Sequence, residues 1–118
     1  MSANFVLANI GALITIALGC LGLFAPDRAA ALTSMSPVGV DGRSEIRATY
    51  GGLFAAMGVA CLISQWTPVY FTVGIAWFGA GVGRIWSVVI DRNVNQKNLA
   101  AIVMEVAIAA LLLAPQLQ

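Results

Sequence analysis

Four apolar stretches separated by short polar segments make up most of the chain, at approximately residues 3–24, 46–63, 69–90 and 99–113. A helix of about 20 apolar residues is long enough to cross the hydrocarbon core of a bilayer. The stretches are continuous rather than alternating, which argues against a membrane β-barrel. The pattern therefore predicts an all-α membrane protein, a four-transmembrane-helix bundle that forms a single domain over residues 1–118.

The first apolar stretch, residues 3–24, contains no charged residue. Ala29–Ala31 could pass for a signal-peptide cleavage site, but the stretch is too long for a signal peptide and no basic segment precedes it. Gly11, Thr15 and Gly19 recur every four residues and therefore share one helical face. Small residues let neighbouring backbones approach closely in membranes, so we expect this face to point into the bundle.

The connection after the first span, residues 25–44, is polar and contains proline and glycine, which argues against a long helix. A short interfacial helix is predicted over Ala29–Leu32. The second and third spans are joined by the turn Ser64–Pro68. The rings of Trp66 and Tyr70 in and after this turn are predicted to lie at headgroup level.

The third span, residues 69–90, contains the pair Gly79-x-x-x-Gly83, a spacing typical of close helix packing in membranes. Trp77 and Trp86 on this span are interpreted as lipid-facing or packing residues. The fourth span, residues 99–113, is only about 22 Å long as a helix. It either thins the bilayer, extends into its flanking residues or forms a re-entrant helix.

The composition excludes several classes of function. Sixty per cent of the residues are apolar and 9% are charged, whereas an average soluble domain has about 25% charged residues. The net charge of +1 without a basic run offers no surface for nucleic acid. The chain has no histidine, which removes the commonest general base and most metal and haem sites. We expect no catalytic residue, no cofactor and no bound metal.

The two cysteines are too far apart in depth to form a disulfide. Cys20 is predicted about 6 Å inside one membrane face and Cys61 about 22 Å from that same face. Bridged cysteines need Cα atoms within about 7 Å of each other. Both are therefore interpreted as small packing residues.

The distribution of basic residues predicts the orientation. The connection at residues 25–44 and the turn at residues 91–98 contain lysine or arginine, whereas the N-terminal tail, the turn at residues 64–68 and the C-terminal tail contain none. Basic loops stay in the cytoplasm, so both termini are predicted on the non-cytoplasmic side. The two halves show no convincing repeat, which gives an inverted-repeat transporter no support.

Two charged residues are predicted inside the membrane at matching depth. Arg84 precedes the end of the third span by six residues, and Glu105 follows the start of the fourth by six. Both therefore lie about 9 Å below the same surface. Ionised residues in a membrane are normally paired and face the bundle interior, so we predict an Arg84–Glu105 ion pair.

Further polar residues are predicted in the same half of the membrane and favour one intramembrane polar cluster. The cluster has two interpretations: a clamp that fixes helix packing, or a site for an anion or lipid headgroup that opens to the cytoplasm. In the second, Arg84 and Arg47 bind the anion, Tyr50 donates a hydrogen bond and Glu105 positions Arg84. The cluster consists of Glu45, Arg47, Tyr50, Arg84, Ser87, Asp91 and Glu105.

The block Glu45-x-Arg47-x-x-Tyr50-Gly51-Gly52 opens the second span, and Arg84, Ser87, Asp91 and Glu105 follow later. With these residues the chain resembles a family of small bacterial four-helix membrane proteins catalogued as a domain of unknown function. The resemblance covers almost the whole chain. It implies a four-span fold in the bacterial inner membrane and a shared polar motif, and it implies no established activity.

Taken together, these patterns favour a non-enzymatic accessory or packing subunit, or a lipid-binding module, in a membrane assembly. Its expected surroundings are the lipid bilayer and other membrane subunits or further copies of the chain. The alternative is a small proton-coupled transporter or channel for an anionic solute, in which Glu105 titrates and Arg84 binds the solute. An intramembrane enzyme that uses Tyr50 or Ser87 ranks last, because Ser87 lacks an obvious base.

Overall fold

The computed structural model describes the backbone of residues 3–117 and the side chains of residues 5–117, and every regular element among them is helical. Four of the helices are long and apolar enough to cross a membrane, so the chain is a multi-pass membrane protein. This confirms the predicted all-α class. The helices are α1 (Ala3–Phe24), α2 (Pro26–Leu32), α3 (Gly39–Ser64), α4 (Thr67–Asp91) and α5 (Gln96–Leu113), which continues as a 3-10 turn over Ala114–Leu117.

Helix α3 differs from its prediction in start and geometry. It begins at Gly39 rather than near residue 46 and is π-helical over Ile46–Leu53. Gly39 has a φ of 65°, a left-handed conformation that glycine adopts without strain. The helix thus includes the polar segment Gly39–Glu45 that precedes the apolar stretch. The hydropathy pattern therefore identified the apolar part of this helix and not its first residues.

Helix α5 is longer than the apolar stretch at residues 99–113. The Asn95 side chain caps its start by accepting a hydrogen bond from the backbone N–H of Asn98 at 2.8 Å. Together with the 3-10 turn, the segment Gln96–Leu117 has 22 residues, which is enough to cross a bilayer. Of the alternatives left open by the sequence, extension into the flanking residues describes this helix.

Consecutive long helices run in opposite directions, and α1 packs between α3 and α5, while α4 packs mainly against α5. The turn between α3 and α4 and the end of α5 lie at one end of the bundle. The opposite end, formed by residues 25–38 and 92–95 with the adjacent helix ends, is called the charged end below. Lys97 at the start of α5 donates a hydrogen bond to the Ala31 carbonyl of α2 at 2.8 Å, which joins both connections at this end.

Glycines bring the backbones of α1 and α3 into direct contact. A Cβ atom added to Gly19 would lie 2.4 Å from the Ala55 nitrogen, and one added to Gly22 would lie 2.4 Å from the Tyr50 carbonyl oxygen. Gly11 and Thr15 are buried as well, as the spacing on α1 predicts. The first span therefore has the inward small-residue face expected of a central helix.

The core lies where α1, α3, α4 and α5 meet, and its buried residues are mostly small or aromatic. Tyr70 is fully buried in it, whereas Trp66 is 63% exposed. The location of both rings at headgroup level stays a prediction. Cys20 and Cys61 are free, as predicted. The buried core residues are Ala8, Ala12, Cys61, Tyr70, Val73, Trp77, Ile108, Ala109 and Leu112.

Replacing Gly22 with alanine tests the contact between α1 and α3. The added methyl group would collide with backbone atoms of Tyr50 and Gly51, and we expect a destabilisation of about 1–3 kcal/mol, as for other overpacked sites. The measurement is thermal unfolding in detergent. Gly52→Ala is the matched control, because its Cβ would meet only the Arg47 carbonyl at 3.8 Å. Equal midpoints for the two variants would contradict the close approach.

Candidate functional site

The strongest polar arrangement in the helical core joins α4 to α5. The Arg84 Nε donates to Glu105 Oε1 at 2.8 Å, and Arg84 Nη1 donates to Asn98 Oδ1 at 3.3 Å. Asn98 and Glu105 are seven residues apart on α5 and therefore share one helical face. Arg84 spans two turns of the facing helix, which fixes both the separation and the register of α4 and α5.

Burial makes this arrangement energetically important. The side chain of Glu105 is 8% exposed and that of Arg84 is 29% exposed. A carboxylate so buried is stable only when it is paired and hydrogen-bonded, because removal from water costs several kcal/mol per ion. Arg84 supplies the positive charge and a charge-assisted hydrogen bond. The loss of either Arg84 or Glu105 is therefore expected to destabilise the other.

Asn98 extends the arrangement into the turn between α4 and α5. Its Nδ2 donates to the Asn93 carbonyl at 2.9 Å, and its backbone N–H bonds the Asn95 side chain. Asn98 is 6% exposed and was not among the residues selected from the sequence. The sequence offered one signal for Asn98: its position seven residues before Glu105, which places both on one helical face. Arg84, through Asn98, thus also fixes the turn at the charged end.

The remaining residues of the predicted cluster form separate sets. Ser87 Oγ donates to Asp91 Oδ2 at 2.9 Å on the exposed surface of α4. Arg47 donates to the Leu23 carbonyl near the end of α1, where a cation complements the helix dipole. The Tyr50 ring packs edge-on against Phe54, with ring centroids 5.7 Å apart.

The prediction of one convergent cluster is therefore corrected. No hydrogen bond or ion pair between described residues links Glu45, Arg47 or Tyr50 to Arg84 or Glu105. The first part of α3 packs on α1, whereas Arg84 and Glu105 lie between α4 and α5. Residue counting gives depth along a helix but does not give the position of that helix around the bundle, so matching depth did not imply contact.

Two sets of polar contacts between helices were missed by the sequence reasoning. At the end opposite the charged end, Gln65 Nε2 donates to Asn9 Oδ1 at 3.0 Å and to the Tyr70 hydroxyl at 2.7 Å, and the Tyr70 hydroxyl donates to Asn9 Oδ1. In the core, Trp77 Nε1 donates to Thr15 Oγ1 at 3.0 Å. Asn9 and Thr15 are isolated polar residues among apolar neighbours in the first span, and this was the signal available in the sequence. Trp77 is buried and Trp86 is 63% exposed.

The family model described as a domain of unknown function (DUF4345) matches residues 4–116. The chain belongs to this family. The match confirms the resemblance inferred from the sequence and covers nearly all of the described helices. No match was found among curated proteins or among solved structures. A bacterial origin and a shared role for the block at residues 45–52 stay predictions.

A double-mutant cycle tests the coupling of Arg84 and Glu105. We expect Arg84→Met and Glu105→Gln each to lower thermal stability in detergent, because each leaves a buried partner unpaired. The double variant should lose less than the sum, with a coupling of about 0.5–3 kcal/mol. The exposed pair Ser87→Ala and Asp91→Asn serves as the control, with a coupling of about 0.5 kcal/mol or less. Additive losses of thermal stability for Arg84→Met and Glu105→Gln would contradict the clamp interpretation.

Proposed function

We propose that the protein is a non-enzymatic helix-packing subunit of a bacterial inner-membrane assembly, with both termini on the non-cytoplasmic side. The observation that carries the proposal is the outer face of α4, where Gly79 and Gly83 are exposed one turn apart. A Cβ atom added at either position would have no atom within 4 Å. Neither glycine is therefore used for packing inside this chain.

The other glycines differ from this pair. Each of the remaining ten either has an atom within 4 Å of its added Cβ or, as at Gly39, adopts a positive φ. Glycine inside a helix costs about 0.8–1.0 kcal/mol relative to alanine. Gly79 and Gly83 both carry this cost on one outward face and gain no contact within the chain in return. Packing of another transmembrane helix on that face would explain why glycine is present there. The i, i+4 spacing fits the close right-handed crossing that glycine pairs support in membranes.

The arrangement around Arg84 supports the same proposal. Its hydrogen bonds to Glu105 and Asn98 lie on the side of α4 that faces α5. These contacts hold the outer face of α4 at a fixed angle to the rest of the bundle. A rigid face loses less conformational freedom when it docks, which favours association.

Replacing Gly79 and Gly83 with isoleucine tests the proposal. Because the added side chains meet no atoms of the chain, we expect unchanged helix content and thermal stability in detergent. Association in native-lipid particles should weaken roughly tenfold, or about 1.4 kcal/mol, measured by native mass spectrometry of the extracted full chain. The matched control is Ala60→Ile on the exposed surface of α3, which should leave the assembly intact.

Two results would contradict the packing proposal. The first is a parent protein that is recovered only as a monomer from native lipid. The second is a Gly79 and Gly83 variant that remains associated as strongly as the parent. Recovery of a homo-oligomer and recovery of a stoichiometric complex with another membrane protein would both support a packing role and would distinguish the two kinds of partner.

Proton-coupled transport of an anionic solute is the competing hypothesis. It requires Arg84 to bind the solute, yet two of its nitrogens already donate to α5. We therefore expect neither the parent protein nor Glu105→Gln to carry anion flux in proteoliposomes under a proton gradient. Flux by the parent that Glu105→Gln abolishes, with the protein still folded and inserted, would favour the transporter over the packing subunit.

A further inference from the structure

A groove of about 410 Å³ lies at the charged end, between α2 and the first turn of α3. Its wall is ordered by local hydrogen bonds: the Met35 N–H bonds the Ala30 carbonyl at 2.8 Å, and Ser34 adopts a φ of 60° that ends α2. Lys97 fixes the same helix end from α5. Its lining includes Asp27, Ala30, Met35, Pro37, Val40 and Arg43.

The segment around the groove carries large apolar side chains that the protein does not cover. Exposing such a side chain to water costs about 1.5–3 kcal/mol relative to burying it. The first membrane span ends beside this segment, so the apolar side chains reach the bilayer surface. We therefore expect the groove to lie at the depth of lipid headgroups. The exposed residues are Phe24 (79%), Leu32 (61%), Val38 (86%) and Val40 (81%).

Two side chains of opposite charge, Asp27 and Arg43, lie next to each other in the groove lining. Arg43 Nε lies 3.4 Å from Asp27 Oδ1, and the two side chains are 51% and 68% exposed. Both charged groups thus remain accessible to a ligand. Three acidic and three basic residues occur between positions 27 and 47, and Lys97 adds one positive charge next to Ala31. The groove lining itself contains one residue of each sign, Asp27 and Arg43.

We propose that this groove binds the headgroup of a phospholipid that carries both a phosphate and a primary ammonium, such as phosphatidylethanolamine. The phosphate oxygens accept hydrogen bonds from Arg43, and the ammonium donates to the carboxylate of Asp27. A basic patch would attract anionic lipids through its field. The groove lining instead offers one carboxylate and one guanidinium, from Asp27 and Arg43, which favours a zwitterionic headgroup. The apolar lining contacts the glycerol region of the lipid.

The parent protein alone provides a sharp test, because phosphatidylcholine has the same charges but an ammonium without N–H donors. The delipidated full chain is titrated with phosphatidylethanolamine, phosphatidylcholine and phosphatidylglycerol of identical acyl chains, and binding is measured by native mass spectrometry. Since accessible charge pairs are worth up to about 1 kcal/mol, we expect roughly fivefold tighter binding of phosphatidylethanolamine than of either other lipid. Equal affinities, or tightest binding of phosphatidylglycerol, would overturn the proposal.

Variants then assign the preference to the two side chains. Asp27→Asn should reduce the ratio of ethanolamine to choline affinity to about one, because the ammonium loses its charged acceptor. Arg43→Gln should weaken the binding of both lipids equally and so preserve the ratio of their affinities. Asp41→Asn is the matched control, since this carboxylate is at the same end but does not line the groove. A ratio that persists in Asp27→Asn, or falls equally in Asp41→Asn, would show that the groove is not the site.

Discussion

The bundle depends on the direct backbone contact between α1 and α3. In lipid, burial of apolar side chains between helices gains little, because acyl chains are as apolar as leucine. What remains is close packing and a few polar contacts. Gly19 and Gly22 let α1 lie very close to α3. A Cβ atom added to either glycine would overlap backbone atoms of α3. Since α1 also packs on α5, and α5 on α4, the contact fixes the central helix around which the others are arranged.

Polar contacts supplement this packing at three depths. Asn9, Gln65 and Tyr70 join α1, α4 and the turn before α4 at one end, Thr15 and Trp77 meet in the core, and Arg84 binds α5 towards the charged end. Two of the three contacts link α1 to residues more than 50 positions away in the sequence, whereas Arg84 links the consecutive helices α4 and α5. A polar pair buried among apolar neighbours has few alternative partners, so each also selects one register of the helices it joins.

Hydropathy and residue counting predicted the four spans and the pairing of Arg84 with a residue at its own depth, because both depend on distance along a helix. They did not predict which helices are neighbours, so Arg47 was assigned to a cluster when it instead binds α1. Tyr70 illustrates the same limit: its ring chemistry fits an interface, but the acceptor and donor supplied by Asn9 and Gln65 place it inside the protein. Asn9 lies on another helix, so a local pattern does not reveal this partner.

The π-helical segment Ile46–Leu53 determines how the helical faces before and after it are rotated relative to each other in α3. A π-helical turn holds more residues than an α-helical turn. The helical faces before Ile46 and after Leu53 are therefore out of step with a single 3.6-residue period. A helical wheel drawn through the whole of α3 would thus misassign the outward side of its first two turns, where Arg43 borders the groove. Deleting one residue within this segment would turn that polar end around the helix axis while leaving the membrane-spanning part in place.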